Sequence, residues 1–242
     1  MPSGQIFTPI EDHRVFKAIL VQLEDAITAG QLVAGDRLPS ERELAQQFNV
    51  ARTSVREALR VLEALGVVRV RPGPEHGAIV IAEPASALGD LLQFQLALRH
   101  ISVGSFVEFR LVIETWSASA AAEQASVEGI DQIQELVEQM KENGLDASGF
   151  QVLDAEFHLA IAQLSGNDLL VLILQGLRHA IERIMLEATT AADDWAAVRL
   201  RLVSEHEAIL DAIRARDGTL ASDLMQRHID LFYRSSATSP AA

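Results

Sequence analysis

Between His13 and Ala29 the apolar residues fall at Val15, Ile19, Leu20, Leu23, Ala26 and Ile27. That spacing predicts an amphipathic helix, stopped at Gly30. Leu38-Pro39 reads as extended, because the residue before a proline avoids the α region. Ser40 and Glu43 make the S-x-x-E pattern of a capping box and open a short helix over 41–48. Asn49-Val50 reads as a tight turn, since Asn tolerates a left-handed backbone. A further helix is predicted from about Arg52 to Leu65, with Val55, Ala58, Leu59, Leu62 and Leu65 as its apolar face and Gly66 as its stop. Val67–Arg71 and Ala78–Ala82 are rich in β-branched residues and flank a Pro/Gly turn, the pattern of a hairpin. Helix, helix, tight turn, helix, hairpin is the order of a winged helix-turn-helix.

Beyond residue 83 the pattern is helical throughout. Helices are predicted over roughly 85–101, 104–126, 128–142, 149–165, 168–190, 194–215 and 218–234. Ser148 or Asp154, Asn167-Asp168 and Asp217-Gly218 supply caps or turns between them. Six or seven helices with short loops suggest an antiparallel bundle. The expected fold is therefore mainly α, with residues 1–82 as a winged helix-turn-helix and residues 83–242 as an all-helical domain.

Composition sharpens this division. The 242 residues are 49% hydrophobic and 22% charged, with mean hydropathy +0.16, enough to bury a core. There is no cysteine, which excludes disulfides, thiolate nucleophiles and Cys-ligated metal sites. No apolar run approaches the ~20 residues of a membrane span. The opening residues lack a basic stretch followed by an apolar one, so no secretory signal is expected, and a cytoplasmic protein without membrane contact is. The net charge of −14 is uneven: residues 1–82 carry 9 basic and 10 acidic side chains, whereas 83–242 carry 11 and 24. Only the near-neutral first third can present a local basic surface to a polyanion.

In a helix-turn-helix the second helix lies in the major groove with its first residues facing base edges. Here those residues are Arg52, Thr53, Ser54 and Arg56. Arg can bind guanine in a bidentate way, and hydroxyls can contact bases or phosphates. Arg42, one turn into the preceding helix, can hold a phosphate or reach a base. The turn at 72–77, with His76 and Gly77 at its tip, would lie against the backbone or minor groove. The plain alternative is a solvated surface in which these arginines pair with Glu41, Glu43 and Glu57.

Residues 30–82 resemble the GntR family of bacterial transcription regulators. The likeness rests on G-x-L-x-x-G-x-x-LPSERELA at Gly30–Ala45 and VARTSVREALRVLEALGVV at Val50–Val68. It implies DNA contacts at Arg42, Arg52, Thr53, Ser54 and Arg56. The family usually has Ser or Thr before the first of the recognition-helix arginines, where this chain has Ala51. The missing cap costs about 1 kcal/mol and removes a possible phosphate contact.

In the helical region, Asp154 and His158 stand at i and i+4 on one helical face, and His206 and His228 fall on the last two predicted helices. Three imidazoles and a carboxylate suit a divalent ion: zinc first, with nickel, manganese or iron as alternatives. By spacing alone the four could equally be unrelated surface or core residues. Arg110 and Glu114 form another i,i+4 pair, either an ordinary helical ion pair worth about 0.5 kcal/mol or an arginine fork for a carboxylate. His100 and His179 have no partner by spacing.

Residues 85–232 resemble the all-helical, FCD-type C-terminal domain of the FadR branch of the same family. FRLVIETWSASAAAE at Phe109–Glu123, LDAEFHLAIAQLSGN at Leu153–Asn167, EHEAILDAI at Glu205–Ile213 and RHI at Arg227–Ile229 carry the likeness. It implies a metal in a central cavity on Asp154, His158, His206 and His228, with Arg110 lining a pocket for a small organic acid. The acyl-CoA-binding variant of the domain generally lacks this set, so that ligand is not expected. The whole reads as a homodimeric, non-enzymatic repressor that binds a palindromic operator in double-stranded DNA under control of a small carboxylate effector. A constitutive DNA-binding protein with a purely structural metal is the alternative. A metal-dependent enzyme is the third reading, for which no general base is evident.

Overall fold

The computed structural model describes residues 13–70, 78–81, 84–98, 100–142, 144–190 and 194–237. The chain divides into two compact units, Met1–Ala87 and Leu88–Ala242.

The first unit contains α1 (His13–Thr28), α2 (Glu41–Phe48), α3 (Arg52–Ala64), β1 (Val68–Val70) and β2 (Ala78–Val80). The capping box forms: the Glu43 amide donates to Ser40 Oγ at 3.3 Å, and the Ser40 amide donates to Glu43 Oε2 at 2.9 Å. Asn49 ends α2 in the left-handed region at φ 53°, which sets the angle at which α3 begins. β1 and β2 pair antiparallel with Val68 opposite Val80 and Val70 opposite Ala78. Arg37 bridges to Ile79 on the other edge of β2. Ile19 and Leu23 of α1, Leu44 of α2, Val55, Ala58, Leu59 and Leu62 of α3, and Val68 and Val80 of the hairpin close one core. Each fully buried Leu or Val contributes about 1.5–3 kcal/mol. Leu65 departs from its predicted role: it is the C-cap of α3 and is 51% exposed. The chain reverses at the positive φ of Gly66, so Leu65 never joins the apolar face.

The second unit is helical, with all but the first turn of α4 (Pro84–Ala97), then α5 (Val103–Gln124), α6 (Val127–Met140), α7 (Ala147–Leu164), α8 (Asp168–Thr190), α9 (Trp195–Arg214) and α10 (Gly218–Ala237). The seven expected helices are present, and α4 stops at Ala97 rather than at 101. Side-chain caps start several of them. Asn167 Oδ1 accepts from the Leu169 and Leu170 amides, and Asp217 Oδ1 from that of Leu220. α7 corrects the expectation, because Asp146 caps it through the Gly149 amide. Ser148 lies within the helix and Asp154 is buried two turns further on.

α5 runs through the core. Ala118, Ala121 and Ala122 on its inner side are fully buried, and such small side chains let neighbouring backbones approach. Gly89 of α4 packs so closely on α8 that a Cβ there would stand 2.6 Å from the Gly176 carbonyl oxygen. The inward surface of α5 is not wholly apolar: Arg110, Glu114 and Ser117 are buried beside Phe106 and Ile113. No helix among the described residues is long and apolar enough to cross a membrane.

Candidate metal centre and nucleic-acid interface

α7 carries two buried sets of residues. Phe150, Phe157 and Ile161 join the apolar core. Gln151, Asp154 and His158, at i, i+3 and i+7, form a polar stripe that is also buried. α9 brings His206 to this stripe and α10 brings His228. Asp154, His158, His206 and His228 are all at most 4% exposed. Each offers a ligand atom within 4.8 Å of the others. The four residues named from the sequence are thus brought together by three helices.

Aromatic contacts fix the rings. His206 lies between Phe157, at 4.3 Å between centroids, and Phe150, at 6.2 Å and nearly parallel. His158 meets Phe157 edge-on at 5.5 Å. The Nε2 atoms face inward: His206 Nε2 is 3.2 Å from Asp154 Oδ1 and 3.3 Å from His228 Nε2, and His158 Nε2 is 3.9 Å from Asp154 Oδ2. The Nδ1 atoms face outward onto supports. His228 Nδ1 is 2.8 Å from Glu205 Oε2, His158 Nδ1 is 2.5 Å from Glu114 Oε2, and His206 Nδ1 is 3.2 Å from Met140 Sδ. Imidazoles that bind metals are commonly held this way, with a carboxylate on the second nitrogen fixing tautomer and orientation.

A divalent cation fits this donor set. Neither oxygen of Asp154 and neither ring nitrogen of His158 makes a hydrogen bond; Glu114 approaches His158 as an ion-pair partner. An uncompensated buried charge costs several kcal/mol, and a cation would occupy these lone pairs. Burial by itself would raise the Asp154 carboxyl, but the His206 ring 3.2 Å away and the other nearby imidazoles hold it well below the usual carboxylate range. Burial pushes the His206 imidazole down to about 4, against the pull of Asp154. Asp154 ionised and His206 neutral is the pairing that coordination needs.

Arg110 and Glu114 are not the surface pair that helical spacing would allow. Both are 1% exposed. Arg110 Nε donates to Glu114 Oε1 at 2.5 Å and Nη2 to Oε2 at 3.2 Å. Against its own burial, Glu114 is held down to about 2 by the Arg110 guanidinium and by His158. Arg110 and His158 line the same small cavity, with Leu174 and Ile181 opposite. Glu205 and Met140 were not singled out in the sequence. Glu205 directly precedes His206 and could have been suspected, whereas Met140 is on a distant helix and gave no signal.

In the first unit α3 begins at Ala51 without a side-chain cap, as the sequence implied. Arg42, Arg52, Thr53 and Arg56 are exposed and Ser54 is partly so. Glu41 binds Arg56, with Nη2 to Oε2 at 2.7 Å and Nε to Oε1 at 3.1 Å, and has Arg52 Nη2 at 3.9 Å. The hydrogen bond from Arg56 holds the Glu41 carboxyl below its ordinary range. The arginines therefore pair with an acid of α2, yet about half of each side chain stays open to solvent. His100 bonds to Gln95 on the surface. His76, Gly77 and the His179 side chain lie outside the described residues.

A helix-turn-helix with an arginine-bearing second helix, joined in one chain to a helical unit with a buried His/Asp cluster, defines a DNA-binding transcription regulator. Residues 17–74 match the model of the gntR family of bacterial regulatory proteins, and residues 105–231 match the FCD domain. The chain belongs to the GntR family and carries an FCD domain. It is 29% identical over 230 residues to the transcriptional repressor NanR of Cronobacter sakazakii, spanning 92% of this chain and 85% of that protein. It is 30% identical over 211 residues to the transcriptional regulator LutR of Bacillus subtilis, spanning 84% and 92%. The fold matches that of a GntR protein from Streptococcus agalactiae with a TM-score of 0.66 at 24% identity, over 90% of this chain and 99% of that one. These relatives are transcription regulators, not enzymes.

Proposed function

We propose that the protein is a repressor whose hold on DNA is controlled by a small organic acid at a metal site. The carrying observation is the convergence of Asp154, His158, His206 and His228 in a buried cluster with unsatisfied lone pairs. Zinc is the first candidate, with nickel, manganese and iron next. When bound, the cation supplies a Lewis-acid centre for a carboxylate. Arg110, which lines the same small cavity as His158 while it is held by Glu114, would offer its remaining N–H groups to that carboxylate.

Residues 1–82 read the operator. Arg52, Thr53, Ser54 and Arg56 address base edges and neighbouring phosphates, Arg42 the backbone, and His76 with Gly77 the groove beside them. Residues 83–242 sense and dimerise. α5 exposes Phe109, Val112 and Trp116 at i, i+3 and i+7, an apolar stripe suited to a second copy of the chain. A twofold dimer then reads a palindromic operator. Footprinting upstream of the protein's own gene tests the first unit, and Arg52→Ala with Arg56→Ala is expected to abolish protection. For the second unit, zinc-loaded protein is melted with a panel of organic acids, and at least one acid is expected to raise Tm in wild type and not in Arg110→Ala. The narrowness of the cavity favours a second reading, in which the metal is structural and four-coordinate; no acid would then shift Tm, although a chelator still would.

A further inference from the structure

The four candidate ligands are at most 4% exposed, so a hydrated cation needs a way in. Of the four, His158 lines a cavity of about 10 Å³, room for about one water. A groove of about 380 Å³ lies between α6, α7 and α8. Leu159 and Arg178 line both the cavity and the groove, and so form the partition between them. Along α7, Ala155 and His158 face the cavity, Glu156 faces the groove, and Leu159 faces both. Arg178 Nη2 of α8 donates to Glu156 Oε1 of α7 at 3.3 Å, across the seam between the two helices. Its side chain is only 30% exposed. An arginine placed this way buries its stem along the wall while its charged head reaches the water of the groove.

We propose that Arg178, latched by Glu156, is the gate through which a divalent cation passes between the outer groove and the buried ligands. This rests on the metal reading above. Glu135 and Glu156 give the groove carboxylates that draw in a hydrated cation. The latch is partly exposed on both sides, so it is worth little and opens often. Once it opens, the long side chain can swing towards solvent on the fast timescale of surface rotamers. The cavity then merges with the groove, and the path ends at His158. Closed, the same side chain keeps bulk water and competing chelators from the ligands. Arg178 stands on the path and not among the donors, so it sets the rates of uptake and release by the same factor and leaves the affinity alone.

The test follows zinc on the full chain. Uptake by metal-free protein is timed by stopped flow against a zinc indicator, and release by mixing zinc-loaded protein with excess chelator. Arg178→Ala removes both latch and partition. It should speed uptake and release alike by about fivefold or more, fivefold being the most that an exposed ion pair alone is worth, with Kd for zinc unchanged. Arg178→Met keeps the length of the stem and loses the latch, and its rates should fall between those of wild type and Arg178→Ala. Leu177→Ala controls for simple loosening of α8. Leu177 is buried but lines neither cavity nor groove, so this variant should lower Tm at least as far as Arg178→Ala and speed exchange less. Wild-type rates in both Arg178 variants, a weakened Kd with unchanged uptake, or an equal acceleration in Leu177→Ala would overturn the gate. If wild type takes up no zinc at all, the metal reading itself falls, and the gate with it.

Discussion

His206 is wedged between Phe150 and Phe157 and completely buried, with Asp154 on its inner nitrogen and Met140 on its outer one. His206→Ala removes a donor and strips Asp154 of its nearest imidazole. Zinc affinity, measured by competition with a chromogenic chelator, should fall by more than the roughly 10–100-fold that a supporting residue is worth. Glu205→Gln, which weakens the hold on His228 Nδ1, should fall within that 10–100-fold range. The metal-free protein should also be acid-sensitive in a defined window. The His206 imidazole lies at about 4 in the folded chain against an ordinary 6.5. Between these values the unfolded chain takes up a proton that the folded one does not, so stability is lost as pH falls from about 6.5 towards 4. His206→Gln should flatten that part of the Tm profile of metal-free protein.

α3 begins at Ala51 without a side-chain cap, whereas α2, α5, α6 and α7 each begin on a Ser or Asp that accepts a backbone amide. Ala51→Ser should stabilise the protein by about 1 kcal/mol in denaturant unfolding, with an unchanged m-value. Such local features were readable from sequence, because Ser40, Glu43 and Asn49 act within one turn of chain. The limits are equally local. Asp146 rather than Ser148 caps α7, since a cap is chosen by which side chain meets the free amides. α5 hid its burial more thoroughly. Phe106 and Ile113 point inward while Phe109, Val112 and Trp116 point outward, so apolar residues surround the helix and no single face stands out. Arg110 and Glu114, an ordinary i,i+4 pair on paper, then proved to be the polar part of its inner side.

The four candidate ligands stood out in the sequence by residue type, but it took a family likeness to join them into one site, because nothing in the spacing of Asp154, His158, His206 and His228 requires α9 and α10 to return to α7. Glu114 and Met140, which steady the rings from α5 and α6, belong to the same long-range assembly: Glu114 showed only as the helical partner of Arg110, and Met140 left no local trace. The apolar stripe on α5 leads to a prediction for the assembly as a whole: Trp116→Glu should convert a dimer to monomers in sedimentation equilibrium and weaken operator binding, with zinc content unchanged. Because the candidate ligands come from α7, α9 and α10, a cation bound there as proposed would crosslink distant stretches of chain. Its stabilising effect grows with the logarithm of free ion concentration. In a cell starved of that ion, hydrogen exchange around Asp154, His158, His206 and His228 on these three helices should quicken before the rest.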